Sequence, residues 1–336
     1  MSKRGFVFLS LGVSVVGLLL ILQVWGIPHL LRSQLTKQVE SNCTVCKLTL
    51  GEIHFSFIPS TIVLNDIHLM HIQEGLNIDA RMSQIKVKLL PLFLFARELA
   101  IEEIQVEKPI VIIDEGDVKG FVPPSPTSDS QWTFKIEKTL LVNGKFTYRH
   151  ERYNKTASVL ISDINAQVDL MGSTAELREK EVHGHATTLI GESGRGDLTV
   201  NAFLFSKEWN VDITLDLVDQ NLADLNTFFI PNDEIKVQGM LSKGQNKISI
   251  RGDSLSSSVS AEYEHLDVDM KGGAQRSETG AFLSNLMSAF KIDAGNANRK
   301  KGDQIRSIHA KLQDGEPFMG FIFRGMKEAA MKVATD

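Results

Sequence analysis

The chain has little of what marks a catalyst or a nucleic-acid binder. Its 336 residues include two cysteines, three tryptophans and three tyrosines. Two cysteines cannot staple a fold of this size, so stability has to come from an apolar core, and 43% hydrophobic residues suffice for one. Lys plus Arg number 36 against 41 Asp plus Glu, and no long basic run occurs, which excludes nucleic acid as a partner class. Phosphate loops and nucleophile elbows are absent too. Gly191-Glu192-Ser193-Gly194-Arg195-Gly196 fits neither G-x-x-x-x-G-K nor G-x-S-x-G, and it joins two strand-like segments as a hairpin loop would. His183 and His185 stand at i, i+2 without a carboxylate pair nearby in sequence, the spacing of an exposed strand face. Asp212, Asp216, Asp267 and Asp269 alternate with apolar residues, as on a solvated sheet face. No catalytic set, metal or cofactor is expected.

What is present begins with one uncharged run, Gly5 to Ile27, behind Lys3 and Arg4. About 20 helical residues cross a ~30 Å hydrocarbon core. Signal peptides have apolar regions of roughly 7–15 residues and an A-x-A-like site; Val24-Trp25-Gly26 is a poor one because Trp25 is bulky. The run therefore reads as an uncleaved transmembrane helix, with Trp25 at the interface. No second run approaches this length, which predicts a single-pass protein with a cytoplasmic N-terminus. Ile27 to Glu40 continues as an amphipathic helix through Leu30, Leu31, Leu35 and Val39.

Cys43 and Cys46 follow as C-x-x-C. Without a βαβ pattern this is not a thioredoxin site, and without a second pair it is weak evidence for zinc. A local disulfide and two free thiols both remain open.

Strand patterns dominate the rest. Lys47 to Ile58 reaches a turn at Pro59-Ser60, and Thr61 to Met70 returns. Asn77 to Leu90, Leu99 to Val106 and Ile110 to Asp114 follow, the last two flanking Pro109, which the interior of a central strand would not tolerate. Pro91 to Ala96 reads as a compact apolar turn or short helix. Phe121 to Ser130 is a Pro/Ser-rich connector. Trp132, Phe134, Ile136, Leu140 and Val142 then share a phase up to Asn143-Gly144, a hairpin signal, beyond which Phe146 and Tyr148 continue. Val211, Ile213, Leu215 and Leu217 alternate with polar residues; Val200, Ile235, Val237, Ile248, Ile250, Val259, Ala261 and Tyr263 belong to similar strands. The apolar phase slips by one residue within Ser158 to Leu170 and within Val259 to Met270, and each slip predicts a bulge or bend. Gly302 to Leu312 reads as a last strand behind the basic cluster Arg299 to Lys301. Phe282, Leu286 and Phe290, then Phe318, Phe321 and Ile322, mark two amphipathic helices.

The expected organisation is a cytoplasmic tip (1–4), a transmembrane helix (5–27), an N-terminal β region (28–121), a linker or loop (122–130), a second β region (131–278) and a C-terminal segment of amphipathic helices with one strand (279–336). The alternation alone suits either a sandwich of mutually covered faces or a curved sheet lining a groove.

Four features in order resemble the AsmA-like family of Gram-negative envelope proteins. They are the anchor followed by GEIHFSFIPSTIVLNDIHLM; Pro91-Leu92-Phe93 and then LAIEEIQVEKPIVII with Lys108-Pro109; FKIEKTLLVNGKFTYRH; and LADLNTFFIPNDEIKVQGMLS around Leu225, Asn226, Pro231 and Gly239. The resemblance covers most of residues 1–250. It implies an inner-membrane protein with a periplasmic body, whose long, curved, antiparallel-rich sheet forms a taco-like groove that shields phospholipid acyl chains in transit. It implies no catalytic residues. Trp132, Phe134, Ile136, Val211, Ile213, Leu215, Leu217, Ile235, Val237, Ile248 and Ile250 are then the groove candidates. Phe282, Leu286, Phe290, Phe318, Phe321 and Ile322 would dock on a membrane or on envelope protein partners. The chain departs from the family in length. About 14 to 16 strands at ~4.8 Å spacing give a groove on the order of 70 Å, too short to span a periplasm alone. The alternative is an assembly or scaffold factor for outer-membrane proteins that carries no lipid.

Overall fold

A computed structural model describes residues 22–73, 75–90, 98–115, 133–152, 155–205, 210–233, 235–270 and 305–311. The fold is mostly β and consists of one large mixed sheet. Its strands are β1 (Cys46–Thr49), β2 (Ile53–Phe57), β3 (Ser60–Gln73), β4 (Leu76–Leu89), β5 (Glu98–Glu107), β6 (Ile110–Glu115), β7 (Thr133–Arg152), β8 (Lys155–Gly172), β9 (Val182–Ile190), β10 (Gly194–Ala202), β11 (Asn210–Asn221), β12 (Ile235–Arg251), β13 (Ser254–Met270) and β14 (Ile305–Lys311). These 14 strands fill twelve places, because β1 and β2 share the edge of β3, and β5 and β6 lie end to end between β4 and β7. At ~4.8 Å per place the sheet is on the order of 50 Å across, shorter than the strand count alone suggests. Neighbours are antiparallel except β5 and β6, which both run parallel to β7. The 122–130 connector lies outside the described residues. The strands on either side of it, β6 and β7, pair with each other, so the sheet is continuous across it.

The long strands share an interruption at one level. β1 and β2 part at Gly51, whose N–H reaches Asn65 O at 3.0 Å; a Cβ there would meet that oxygen at 2.7 Å. Asp66 of β3 has φ 50° and faces the Ser83 level of β4. Lys108 (φ 47°) and Pro109 fall between the pairs Glu107–Val142 and Ile110–Lys145, opposite Asn143 (φ 56°) and Gly144. In β8, Asp163 has φ 50° where the register with both β7 and β9 shifts. Four of the six non-glycine residues at positive φ among the described residues are Asp or Asn, the side chains that tolerate the left-handed region best. Side chains satisfy the backbone groups these bulges release. Ser83 Oγ donates to Glu107 O at 2.9 Å and Thr188 Oγ1 to Ser162 O at 3.2 Å, while Asn165 accepts from Asn143 N–H at 3.2 Å and donates to Asp163 O at 2.9 Å.

This crease corrects one sequence expectation. Asn143-Gly144 is no hairpin turn but a bulge inside the 20-residue β7, whose pairing with β8 runs on to Arg152–Lys155. The same two properties, left-handed tolerance and small size, serve a bulge as well as a turn; a Cβ on Gly144 would come within 3.3 Å of the Pro109 ring. Pro109 falls outside both strands, in the gap between β5 and β6 that the sequence led one to expect, and that gap needs no donor from it. The two expected phase slips do coincide with left-handed residues, Asp163 in β8 and His265 (φ 52°) in β13.

β9 and β10 reach only to the crease. Beyond their tip, α3 (Asn226–Asp233) packs against β8 and β12. Thr227 Oγ1 donates to Ser158 O at 2.9 Å, and the Asn226 amide exchanges two 2.8 Å bonds with the backbone of Val237. Asn226 thus acts as a strand partner for the start of β12. Two further helices are α1 (Ile27–Asn42), with Pro28 in its first turn, and the short α2 (Ala175–Arg178). α1 is the expected amphipathic continuation, with Leu31, Leu35 and Val39 half-buried and Leu30 exposed. Among the described residues, no helix is long and apolar enough to cross a membrane. Residues 1–21 and both C-terminal amphipathic segments, with Phe282, Leu286, Phe290, Phe318, Phe321 and Ile322, lie outside the described residues, as does Pro91 to Ala96; the expected last strand is β14.

Candidate functional site

Above the crease, cross-strand register lines up mainly apolar side chains in two adjacent transverse rows, interrupted by Thr139, Gly184, Asn246 and Ser257. One runs Phe55, Ile62, Val87, Ile104, Thr139, Val168, Gly184, Val200, Ile213, Ile248, Ser257 and Ile308. The other runs Ile53, Leu64, Ile85, Val106, Leu141, Ala166, Ala186, Leu198, Leu215, Asn246 and Val259. Directly paired residues share a face, so the rows form one apolar stripe across the sheet.

The stripe has two characters. From β3 to β11 its side chains are half-buried. At the β12–β14 end it is closed: Ile248 is 4% exposed, Ile250 0%, Leu255 1%, Val259 8% and Ile308 5%, with Val211 and Ile213 packed against them. Of the groove candidates, Val211, Ile213, Leu215 and Leu217 lie on the half-buried β11, opposite Ile250, Ile248, Asn246 and Gly244. Ile248 and Ile250 belong to the packed cluster. Phe134 and Ile136 are half-buried on β7, the Phe134 ring 6.0 Å from that of Phe205. Val237 is half-buried below the crease, and Ile235 pairs with Met270 there. Trp132 lies outside the described residues. In β7 the stripe also leaves the simple alternation. Leu140 pairs with Gln105 and Gln167, whereas Leu141 pairs with Val106 and Ala166.

The opposite face is polar and internally paired. Lys88 Nζ lies 2.8 Å from Glu103, His185 3.0 Å from Asp197, and Arg251 2.7 Å from Asp212, while Gln245 donates to Asp216 at 2.6 Å. The hydrogen bond from Arg251 holds the Asp212 carboxyl below its usual range, and that from Lys88 does the same for Glu103. A shallow depression of about 500 Å³ opens here between Arg251, Ser254, Ser256, His309 and Lys311. It gathers no acid–base pair. Asp216 and Asp212 are neighbours of a strand face, as the sequence suggested.

Other polar clusters have structural employment. Ser193 of the β9–β10 turn donates to Asp224 at 2.6 Å and accepts from Asn221 N–H at 2.8 Å, which clasps the hairpin tip to the turn before α3. The Gly191–Gly196 stretch is therefore the hairpin its spacing indicated. His183 and His185 bond across to Asn201 and Asp197 on an exposed face. Tyr148 donates to Glu115, and its burial pushes the phenol well above its usual value, so it stays protonated at physiological pH.

One cluster was missed in sequence. Cys43 and Cys46 are bridged, and His71 of β3 stands beside both sulfurs. A histidine 25 residues beyond Cys46 carries no local signal; only the β1–β3 register joins them. Compared with known protein families and with curated proteins, the chain matches none. The resemblance to the AsmA-like family rests on its motifs alone.

Proposed function

We propose that this chain is a non-enzymatic, inner-membrane-anchored protein whose periplasmic β body binds phospholipid acyl chains along the apolar stripe. In this reading it passes them along for envelope homeostasis. The observation that carries the reading is the stripe itself, mainly apolar across the sheet and half-buried from β3 to β11. Each methylene buried there is worth roughly 0.8 kcal/mol, so a few strand widths of contact hold a chain. The order of the family-like motifs and the uncharged run Gly5 to Ile27 support the location. The curvature that makes the stripe a groove is part of the proposal, as are the docking helices at the C-terminus.

The test is photocrosslinking in intact cells with a probe amino acid at Val211, Ile213 and Leu215, and with Asp212 and Thr214 as opposite-face controls. Phospholipid attached at the first three and absent from the controls is the expected outcome. A second reading, a scaffold for envelope proteins that carries no lipid, is favoured by the closed cluster around Ile250. Crosslinks to protein alone would put that reading first.

A further inference from the structure

α1 ends at Cys43, whose N–H closes on Val39 O at 2.9 Å, and Cys46 N–H turns back to Cys43 O at 3.1 Å. Cys46 opens β1 directly opposite His71. His71 Nδ1 lies 3.6 Å from Cys43 Sγ and 3.4 Å from Cys46 Sγ, and the three residues are half-buried, within reach of ions. Tetrahedral zinc with Zn–S of ~2.3 Å and Zn–N of ~2.05 Å has an S···N edge of about 3.6 Å. Both sulfur–nitrogen distances are thus already those of a tetrahedral site. Only the sulfurs have to part, to roughly 3.8 Å, and breaking their bond allows it. Among the described residues, no other set of Cys, His, Asp or Glu converges this closely.

We propose that Cys43, Cys46 and His71 form a redox-gated site for a thiophilic divalent ion, Zn(II) first. The reduced pair holds the ion through two thiolates and Nδ1, with the fourth position open to water or an external ligand. Oxidation empties it. Each thiolate gives up one electron as the S–S bond forms; the two electrons cleave the disulfide of an external small-molecule or protein oxidant into two thiolates, and the ion leaves as M²⁺. The bridged form in this structure is the released state. Nε2 of His71 is buried with no partner among the described residues. A ligating histidine without an outer hydrogen-bond acceptor binds roughly 10–100-fold more weakly than one with it, which suits release.

The experiment is a Co(II) titration of the detergent-solubilised full chain, reduced with a phosphine and freed of excess reductant under anaerobic conditions. The expected result is one Co(II) per chain, with a thiolate-to-cobalt charge-transfer band and the visible bands of a tetrahedral centre. Zn(II) displaces it, and the oxidised chain shows none of these bands. In His71→Ala and His71→Asn the visible bands change and affinity falls at least about tenfold. The far-UV β spectrum is taken alongside, and the asparagine variant covers the case in which the alanine variant misfolds. A reduced chain without the charge-transfer band overturns the proposal. So do folded His71 variants with unaltered spectrum and affinity, because the histidine would then be no ligand.

Discussion

β11 and β12 lie side by side and read alike in sequence, yet the structure treats them differently. Val211, Ile213 and Leu215 are half-buried; Ile248 and Ile250, their register partners and neighbours, are closed off at 4% and 0% exposure. Alternation states that one face of a strand is apolar. It does not state whether that face is covered, because cover comes from elsewhere in the chain. The stripe therefore grades from an accessible middle to a packed end, and the functional proposal belongs to the middle.

The sharpest way to break this comparison is to truncate both sides of it. Ile250→Ala leaves a cavity in a packed cluster and should cost about 2–5 kcal/mol in urea unfolding of the detergent-solubilised chain. Leu215→Ala removes a half-exposed side chain and should cost less than about 1.5 kcal/mol, while weakening lipid capture. Equal costs would mean that the middle of the stripe is core as well. Next in size is the crease. Asn143→Val forces a β-branched residue into the left-handed region and should cost about 1–2 kcal/mol, whereas Asn143→Gly should be near neutral. If both variants lose stability equally, the Asn143 side chain matters for more than its backbone conformation.

The smallest effect belongs to the polar face. Asp212 bonds to Arg251, and both side chains are substantially exposed, so Asp212→Asn should cost at most about 1 kcal/mol at neutral pH. The folded carboxyl titrates below its unfolded value, so its contribution is present above about pH 4. It disappears as pH falls through the lowered folded value. Wild type and variant should thus converge in acid once the folded carboxyl is protonated, and a gap that persists beyond that point would assign the effect to packing.

Local patterns announced local structure well. The alternation of Val211 to Leu217 is strand β11, and the phase slips of β8 and β13 mark the left-handed Asp163 and His265. α1 follows from Leu31, Leu35 and Val39 on one face behind Pro28. What stayed hidden depends on partners distant in the chain. Asn143-Gly144 has the chemistry of a turn, and only the gap at Lys108-Pro109 across the ladder makes it a bulge. The stripe through β7 follows Thr139 and Leu141 because Ile104, Val106, Ala166 and Val168 stand opposite them, which no window on β7 contains. His71 was invisible for the same reason: a 25-residue separation becomes contact only through β1–β3 register.

The crease has a consequence for how such a chain can grow. Left-handed residues at one level in β3, β7 and β8 interrupt these strands without ending them, so the width of the sheet is a count of strands. An inserted hairpin of about 35–40 residues that carries one Asp or Asn at that level adds about 10 Å to it. Width is then a quantity that duplication of a short coding segment can adjust without redesign of the strands it joins.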